Sequence, residues 1–153
     1  MSNLRHIVGT RVLIRNSDNT IVLIRSPRRG WEMPGGILIP GERVRMSLQR
    51  ETFEETGLTI TVENLVGIYC EATQTRQTKT FFTFTAFATG GNLTTSSESL
   101  EVKWYDCDKA ARHITDAMQK SRFDDALNYQ PGDNIIYRVF QEYPHQIFES
   151  MII

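Results

Sequence analysis

Residues 36–58 read GILIPGERVRMSLQRETFEETGL, and this stretch decides the fold. From Glu42 to Thr56 its composition favours a helix, and Gly57 is the residue type that commonly ends one. Glycine and proline interrupt the chain before the helix, at Pro34-Gly35-Gly36 and at Pro40-Gly41. Glycine lets a backbone approach a ligand closely. The pattern therefore predicts a rigid loop that leads into an acidic helix.

Three glutamates lie on one side of this predicted helix. Glu51, Glu54 and Glu55 occupy positions i, i+3 and i+4, which lie within about 100° of one another around the helix axis. Three like charges this close repel, and a hard divalent cation such as Mg²⁺ neutralises them because it prefers oxygen ligands. The alternative is a solvated acidic face. The apolar residues of the helix scatter around it, whereas a helix held only by core packing should show an apolar stripe.

This stretch resembles the Nudix box, G-x5-E-x7-R-E-U-x-E-E-x-G-U, in which U is a bulky aliphatic residue. Read from Gly36 to Leu58, every glycine and every charged position agrees, and Thr52 at the first U position is the single departure. The preceding run Trp31-Glu32-Met33-Pro34-Gly35-Gly36 matches a common lead-in to the box. The resemblance implies an α/β fold, a Nudix-type α/β/α sandwich around a mixed β-sheet.

The resemblance also implies roles for the residues of the box. Glu51, Glu54 and Glu55 would bind catalytic Mg²⁺, for which Mn²⁺ often substitutes, and the backbone of Gly36 would supply a further oxygen. Arg50 would orient Glu51. The metal would activate a water for in-line attack on a bridging diphosphate, and the protein would position the groups.

The general base of such a reaction varies within the family. It is either a glutamate of the box or an acidic residue on a distant loop. Here the loop candidate is Glu98, six residues before Trp104, and Glu101 is its competitor. For both, the alternative is surface charge beside a turn.

Substrate contacts are expected at the loops before the box. The candidates are Arg25, Arg28, Trp31 and Glu42. The two arginines, with Arg29, form a basic stretch that suits phosphate, and a solvated loop is the alternative. Glu42 would brace the loop at the helix start. Further along, Arg76 and Lys79 lie in a polar loop and either contact substrate or face solvent.

The rest of the chain predicts strands with a few helices. Strands are expected at Ile7–Ile14, Thr20–Ile24, Thr59–Glu71, Phe81–Ala88 and Leu100–Tyr105, with a short one at Ile37–Ile39 and helices at Asp108–His113 and Asp116–Tyr129. Irregular structure is expected over 31–36 and a turn over 90–92, and 135–140 is either a strand or a helix.

Composition sets the class of protein. A chain of 153 residues fits one domain, residues 1–153, and a net charge of -1 argues against a generic grip on nucleic acid or a membrane surface. No signal peptide and no bilayer-spanning run are expected. Cys70 and Cys107 are expected to be free thiols, which favours a cytoplasmic location. The apolar end, residues 147–153, is expected to pack either on the body or on a second copy in a homodimer.

The sequence therefore predicts a Mg²⁺-dependent hydrolase that cleaves a phosphoanhydride bond in a nucleoside diphosphate derivative. A regulatory module that binds nucleotides without turnover is the alternative, but such modules usually lack acidic positions of the box. An RNA-decapping enzyme would be favoured by a strongly basic surface and an accessory domain, and neither is visible. Which nucleoside diphosphate derivative is the substrate is left open.

Overall fold

The structure, a computed structural model, describes residues 6–72, 77–141 and 147–153, so Arg76 lies outside the described residues. Within these ranges the chain forms eight strands and three helices. The strands are β1 (Ile7–Arg15), β2 (Ile21–Ser26), β3 (Gly30–Glu32), β4 (Leu58–Ala72), β5 (Lys79–Gly91), β6 (Glu101–Tyr105), β7 (Ile136–Gln141) and β8 (Ile147–Ile152). The helices are α1 (Val44–Thr56), α2 (Cys107–His113) and α3 (Ala117–Asn128).

The strands form a mixed sheet in the order β3-β2-β1-β5-β4-β7-β8, with β6 pairing on β2. The pairs β1–β5 and β4–β7 are parallel, and the other pairs are antiparallel. β1 and β2 are consecutive antiparallel strands, but they pair only where Arg15 meets Ile21. Beyond that point the two strands separate, and the loop before α1 lies along β1 instead.

Both faces of the sheet are covered by helices. Val12 and Ile14 of β1 face one apolar cluster, together with Leu48 of α1. Leu13, which lies between them, faces a second cluster with Phe123 of α3 and with α2. Successive strand residues point to opposite faces, so the segment of β1 that is covered on both sides, residues 12–14, is apolar throughout. This arrangement confirms the predicted α/β/α sandwich around a mixed sheet.

Helix α1 starts two residues later than predicted. The backbone N–H of Glu42 donates to the carbonyl of Ile39 at 3.1 Å, which places Glu42 in a turn before the helix. The predicted end is confirmed, since Gly57 follows with a φ of 77° and donates its N–H to the carbonyl of Phe53. Glycine adopts this left-handed conformation without a steric cost.

The prediction of irregular structure over 31–36 is wrong at its start. Trp31 and Glu32 belong to β3, where they pair with Arg25 and Ile24 of β2. A strand of three residues needs only this pairing, and Pro34 then ends it because proline has no N–H to donate. The short strand expected at 37–39 is reduced to one bridge, between Ile37 and Gly9.

The turn predicted at 90–92 is also wrong at its first two residues. β5 continues through Gly90 and Gly91, which pair with Thr59 and Leu58 of β4. A register shift between Thr59 and Ile60 adds a residue on one strand, so the pairing continues past the glycines. The choice left open at 135–140 is resolved as strand β7.

The apolar C-terminal end packs on the body of the molecule, as strand β8 along β7. The chain ends with reciprocal hydrogen bonds between the backbones of Ile135 and Ile153, at 3.1 and 2.7 Å. Cys70 and Cys107 are free, as predicted. Among the described residues, every helix is too short or too polar to cross a membrane.

Candidate active site

The loop before α1 takes the place that a second strand would occupy beside β1. The N–H of Val12 donates to the carbonyl of Pro34 at 3.0 Å, and that of Thr10 donates to the carbonyl of Gly36 at 2.8 Å. Leu38 donates in turn to the carbonyl of Val8 at 3.0 Å. These bonds hold the loop rigidly where β1 and β2 separate.

The two glycines of this loop allow a close approach on both sides. Gly35 has a φ of 143°, and a Cβ there would overlap the carbonyl of Thr10. A Cβ on Gly36 would overlap the carboxylate of Glu51. The loop therefore lies between β1 and a carboxylate of α1, which only glycine permits.

Two glutamates of α1 point into the space beside this loop. Glu51 and Glu55 are 8% and 6% exposed. The carboxylate of Glu55 accepts a hydrogen bond from the N–H of Gly35 at 2.9 Å. Oxygens of Glu51, Glu55 and Glu98 lie within 4.8 Å of one another. This trio consists of hard oxygen donors and carries like charges, which are the properties that a divalent cation requires.

Glu54 lies outside this trio. Its side chain is 56% exposed and accepts a hydrogen bond from Arg50 at 3.1 Å. Glu51 accepts from Arg50 at 2.8 Å, so the arginine lies between the two carboxylates. The third acceptor of Arg50 is Glu42, which receives a two-pronged bond at 2.7 and 2.9 Å. Arg50 thus ties the start of α1 to Glu51.

Burial and charge shift the acidity of these carboxyls in opposite directions. Burial raises the pKa of Glu55 to about 8, although the Gly35 N–H and the charge of Arg11 oppose the shift. Burial also raises the pKa of Glu51. In contrast, the hydrogen bonds from Arg50 lower the pKa of Glu42 to about 2. A cation placed among the trio would replace the proton that burial favours on Glu55.

Glu98 reaches the trio from a loop that is anchored to α1. The Ser99 hydroxyl is fully buried and donates to the carbonyl of Glu55 at 2.6 Å. Its oxygen lies 2.8 Å from the hydroxyl oxygen of Ser96, which accepts from the N–H of Glu98 at 3.2 Å. These contacts close a tight turn around Glu98 and hold it beside α1. Sequence reasoning missed both serines, because serine in a polar loop carries no specific signal.

Glu101, the competitor of Glu98, lies elsewhere. It forms ion pairs with Arg25 at 2.7 Å and with Lys103 at 2.6 Å. These contacts occupy both Glu101 and Arg25, and neither residue lines the cavity beside the trio. The structure therefore brings Glu98, and not Glu101, to the box glutamates.

The aromatic candidate Trp31 points away from the cavity. Its ring packs edge-on against Tyr105 at 5.4 Å and against His113 at 5.8 Å, on the side of α2. Its neighbour Glu32 lines the cavity. Adjacent strand residues face opposite sides, so the two cannot both reach the cavity.

The cavity beside the trio has a volume of about 530 Å³. Of the residues expected from the sequence, it is lined by Gly36, Glu51, Glu55, Glu98 and Arg28, whereas Arg25, Trp31 and Glu42 do not line it. Lys79, which the sequence left open, also lines it. Sequence reasoning did not single out Arg11 or Glu32 as wall residues. Each lies in a strand, where a charged residue normally indicates only the solvent-facing side.

Comparisons with known proteins agree with this geometry. The NUDIX domain family model matches residues 5–127. A MutT-like protein of Streptomyces ambofaciens is 32% identical over 112 residues, which is 72% of this chain and 71% of that protein. The uncharacterized Nudix hydrolase YvcI of Bacillus subtilis is 31% identical over 122 residues, 71% of this chain and 77% of that one.

Among solved structures, that of a MutT protein from Bacillus halodurans aligns with a TM-score of 0.71 and 27% identity. The alignment covers 95% of this chain and 97% of that chain. The family match spans the box helix, the glycine loop and the strand that follows Glu98. On this evidence the chain belongs to the Nudix family.

Proposed function

We propose that this protein is a Mg²⁺-dependent hydrolase that cleaves the pyrophosphate bond of a nucleoside diphosphate linked to another moiety. The observation that carries the proposal is the trio of Glu51, Glu55 and Glu98, whose oxygens lie within 4.8 Å of one another at the wall of a cavity. Membership of the Nudix family supports the reaction class.

The trio supplies the ligands that Mg²⁺ or Mn²⁺ would take. Glu55 is the central ligand, because its buried carboxylate needs a positive partner when it is ionised. Among the described residues, the carbonyl of Gly36 accepts one hydrogen bond, from Thr10, and so keeps a lone pair for a cation. Glu54 is held beside Glu51 through Arg50 and adds negative charge at the exposed end of the site.

The bound cation would draw charge from the diphosphate and lower the pKa of the attacking water. We assign the acceptance of the proton from this water to Glu98, which is exposed at the cavity wall. A carboxylate has two oxygens, so one can serve the cation and the other the proton. The Ser96–Ser99 turn holds this carboxylate in place, and a fixed base lowers the cost of reaching the reactive geometry.

Arg50 and Glu42 act as positioning residues. The planar fork of Arg50 fixes the rotamer of Glu51 while it braces the loop through Glu42. Arg28 is exposed at the cavity and is the arginine of the basic loop that we assign to substrate phosphate. Arg25 and Trp31, which do not line the cavity, we assign to the scaffold.

We propose a small nucleotide as the substrate, and a cytoplasmic location because both cysteines are free thiols. The test is a screen of nucleoside diphosphate derivatives with Mg²⁺ and with Mn²⁺, reading the release of phosphate or mononucleotide. We expect hydrolysis that stops with chelator. Turnover that survives exhaustive chelation would contradict the proposal.

A matched pair of variants separates catalysis from mere binding. Glu55→Gln keeps the shape of a trio member and removes its charge, so kcat should fall by about 100-fold or more, about 1.4 kcal/mol for each tenfold. Glu101→Gln removes a carboxylate outside the cavity and should leave kcat unchanged. Nucleotide binding without turnover in the wild type would favour the regulatory module instead.

A further inference from the structure

A second part of the cavity wall carries positive charge. It is formed by Arg11 of β1 with Lys79 and Phe81 of β5, and we call these three residues the cationic wall. Gly9 pairs with Phe81 and Ile7 with Lys79 in the parallel ladder of β1 and β5. Paired residues share a face and alternate residues return to it, so the three side chains project from one face of the sheet.

Arg11 is buried without adequate partners. It is 5% exposed, and its Nε has no hydrogen-bond acceptor among the described residues. Its Nη1 donates to the carbonyl of Thr10 at 3.2 Å, and its Nη2 lies 3.9 Å from Glu32. Glu32 itself is held by a closer fork from Arg29, at 2.6 and 2.8 Å. A buried guanidinium in this position is costly unless an anion approaches it.

A second buried guanidinium lies behind the wall. Arg122 of α3 is 0% exposed, and its Nε and Nη2 have no acceptor among the described residues. Its Cζ lies 4.6 Å from the centre of the Phe81 ring, and that of Arg11 lies 5.2 Å from it. Burial, and then the charge of Arg11, lowers the pKa of Arg122 to about 9, so it stays charged at neutral pH.

Two carboxylates near the wall are paired with cations other than Arg11 and Arg122. Glu32 pairs with Arg29, and Glu71 pairs with Lys79 at 3.5 Å. Arg11 and Arg122 are therefore left as two cations without a closely paired carboxylate in the described part of the chain. Water screens charges on a protein surface, but it screens buried charges much less. The wall next to Phe81 therefore presents positive charge to a cavity that Glu51, Glu55 and Glu98 also line.

We propose that the cationic wall binds the free terminal phosphate of the substrate, so that the enzyme prefers nucleotides that end in a phosphate over diphosphates capped at both ends. This inference rests on the proposed function and narrows its substrate class, because the moiety linked to the nucleoside diphosphate would then be a further phosphate. A terminal phosphate carries about two negative charges at neutral pH, whereas each phosphate of a capped diphosphate carries one. Arg11 and Lys79, the two cations of the wall that line the cavity, match the dianion.

The geometry fits this assignment. Arginine binds phosphate through the edge of its guanidinium, and Nε of Arg11 has no hydrogen-bond acceptor in the described part of the chain. The weak 3.9 Å contact to Glu32 is readily given up, because Glu32 keeps its bonds to Arg29. The Phe81 ring packs against the guanidinium of Arg11, and the trio of carboxylates lies elsewhere on the same cavity wall, where it would hold the cation.

The test compares ADP with ADP-ribose, which share nucleoside and diphosphate and differ in whether the last phosphate is free. Binding is measured by calorimetry on the folded protein in excess chelator, so that neither metal nor turnover contributes. The wild type should bind ADP more tightly. Arg11→Met should weaken the binding of ADP by about 30-fold and the binding of ADP-ribose by no more than about threefold. Arg112→Met, which removes an exposed positive charge on α2, should change both by less than about threefold.

Two results of this comparison would contradict the inference. Equal affinity of the wild type for ADP and ADP-ribose overturns the inference, and so does an Arg11→Met variant that weakens both equally. If Arg11→Met does not fold, Lys79→Met decides, since that side chain is 38% exposed. An unchanged preference for ADP in Lys79→Met then overturns it. If the protein hydrolyses nucleotides but does not prefer ADP to ADP-ribose, only the inference is contradicted. If it prefers ADP but hydrolyses no nucleotide, only the proposed function is contradicted.

Discussion

Glu55 holds its proton more tightly in the folded protein than in the unfolded chain. Its pKa is about 8 in the fold, mainly because of burial, whereas a free glutamate titrates at about 4.3. The folded state binds more protons between these values, so the stability contributed by Glu55 is complete below the unfolded pKa and is lost as the pH rises through 8. Glu51 shifts in the same direction. The opposite shift of Glu42, to about 2, acts only at more acidic pH.

We therefore expect the melting temperature of the chelator-treated protein to fall as the pH rises from about 5 to about 8.5. In Glu55→Gln the melting temperature should depend less on pH and should exceed that of the wild type at the alkaline end of the range, because the amide has no charge to bury. Thermal unfolding followed by circular dichroism measures both. Glu101→Gln, a change at an exposed ion pair, serves as control and should keep the wild-type slope. A wild-type profile that rises across this range would show that burial of Glu55 does not dominate.

At the level of single residues, the box glutamates and Arg50 could be named from the sequence, because the spacing i, i+3, i+4 is a property of any helix. The separation of Glu54 from Glu51 and Glu55 could not. Glu54 and Glu55 both lie on the same side of the helix as Glu51 by their spacing alone. Only the packing of α1 against the sheet decides which of these carboxylates face the cavity.

Among the elements, the turn that carries Glu98 is built on two hydroxyl groups. Ser99 bonds to the carbonyl of Glu55, so the turn is attached to the same helix that carries the other two carboxylates. This attachment is why a residue more than forty positions away in sequence completes the trio. In the proposed mechanism the two serines position Glu98, and neither Ser96 nor Ser99 lines the cavity.

Ser99→Ala should release this turn and lower kcat by about tenfold or more, since Glu98, the proposed base, is no longer held in place. Metal-free ADP affinity should stay within about threefold of the wild type, because the cationic wall is untouched. Thr95→Ala, at an exposed neighbour, is the matched control. Equal losses of kcat and of metal-free affinity would indicate a general structural fault, and an unchanged kcat would mean that Glu98 needs no anchor.

The elements show where local sequence signals are sufficient. The end of α1 was predictable because Gly57 takes a conformation that other residues adopt at a cost. The start of α1 was not, because Glu42 turns back to Ile39. β3 was missed because its three residues carry no strand pattern of their own. These residues form a strand only because they pair with β2.

At the scale of the whole molecule, β7 and β8 form the edge of the sheet away from the cavity. Within the described chain, no residue of either strand lines the cavity. Met151 and Ile152 are 47% and 71% exposed. The homodimer considered from the sequence is therefore proposed to form through β8, where exposed apolar side chains and an open strand edge coincide.

Deleting residues 147–153 should lower the melting temperature by several degrees, because β7 loses its antiparallel partner. Turnover per folded molecule should remain at the wild-type level, and the deleted protein should be monomeric by light scattering. Ile152→Lys keeps the strand but charges its exposed face, and should also be monomeric with a smaller change in melting temperature. A dimer that survives both changes would place the interface elsewhere.

The sequence by itself determined the fold class, the acidic helix and the loop in front of it. Each of these depends on local rules: helical spacing, the freedom of glycine and the lack of an N–H in proline. The tertiary structure alone decided that Glu98, and not Glu101, lies beside the box glutamates, because ion pairs with Arg25 and Lys103 hold Glu101 outside the cavity. It alone placed Arg11 and Arg122 around Phe81. Contacts between residues far apart in the chain depend on strand register and helix packing, which no local pattern records.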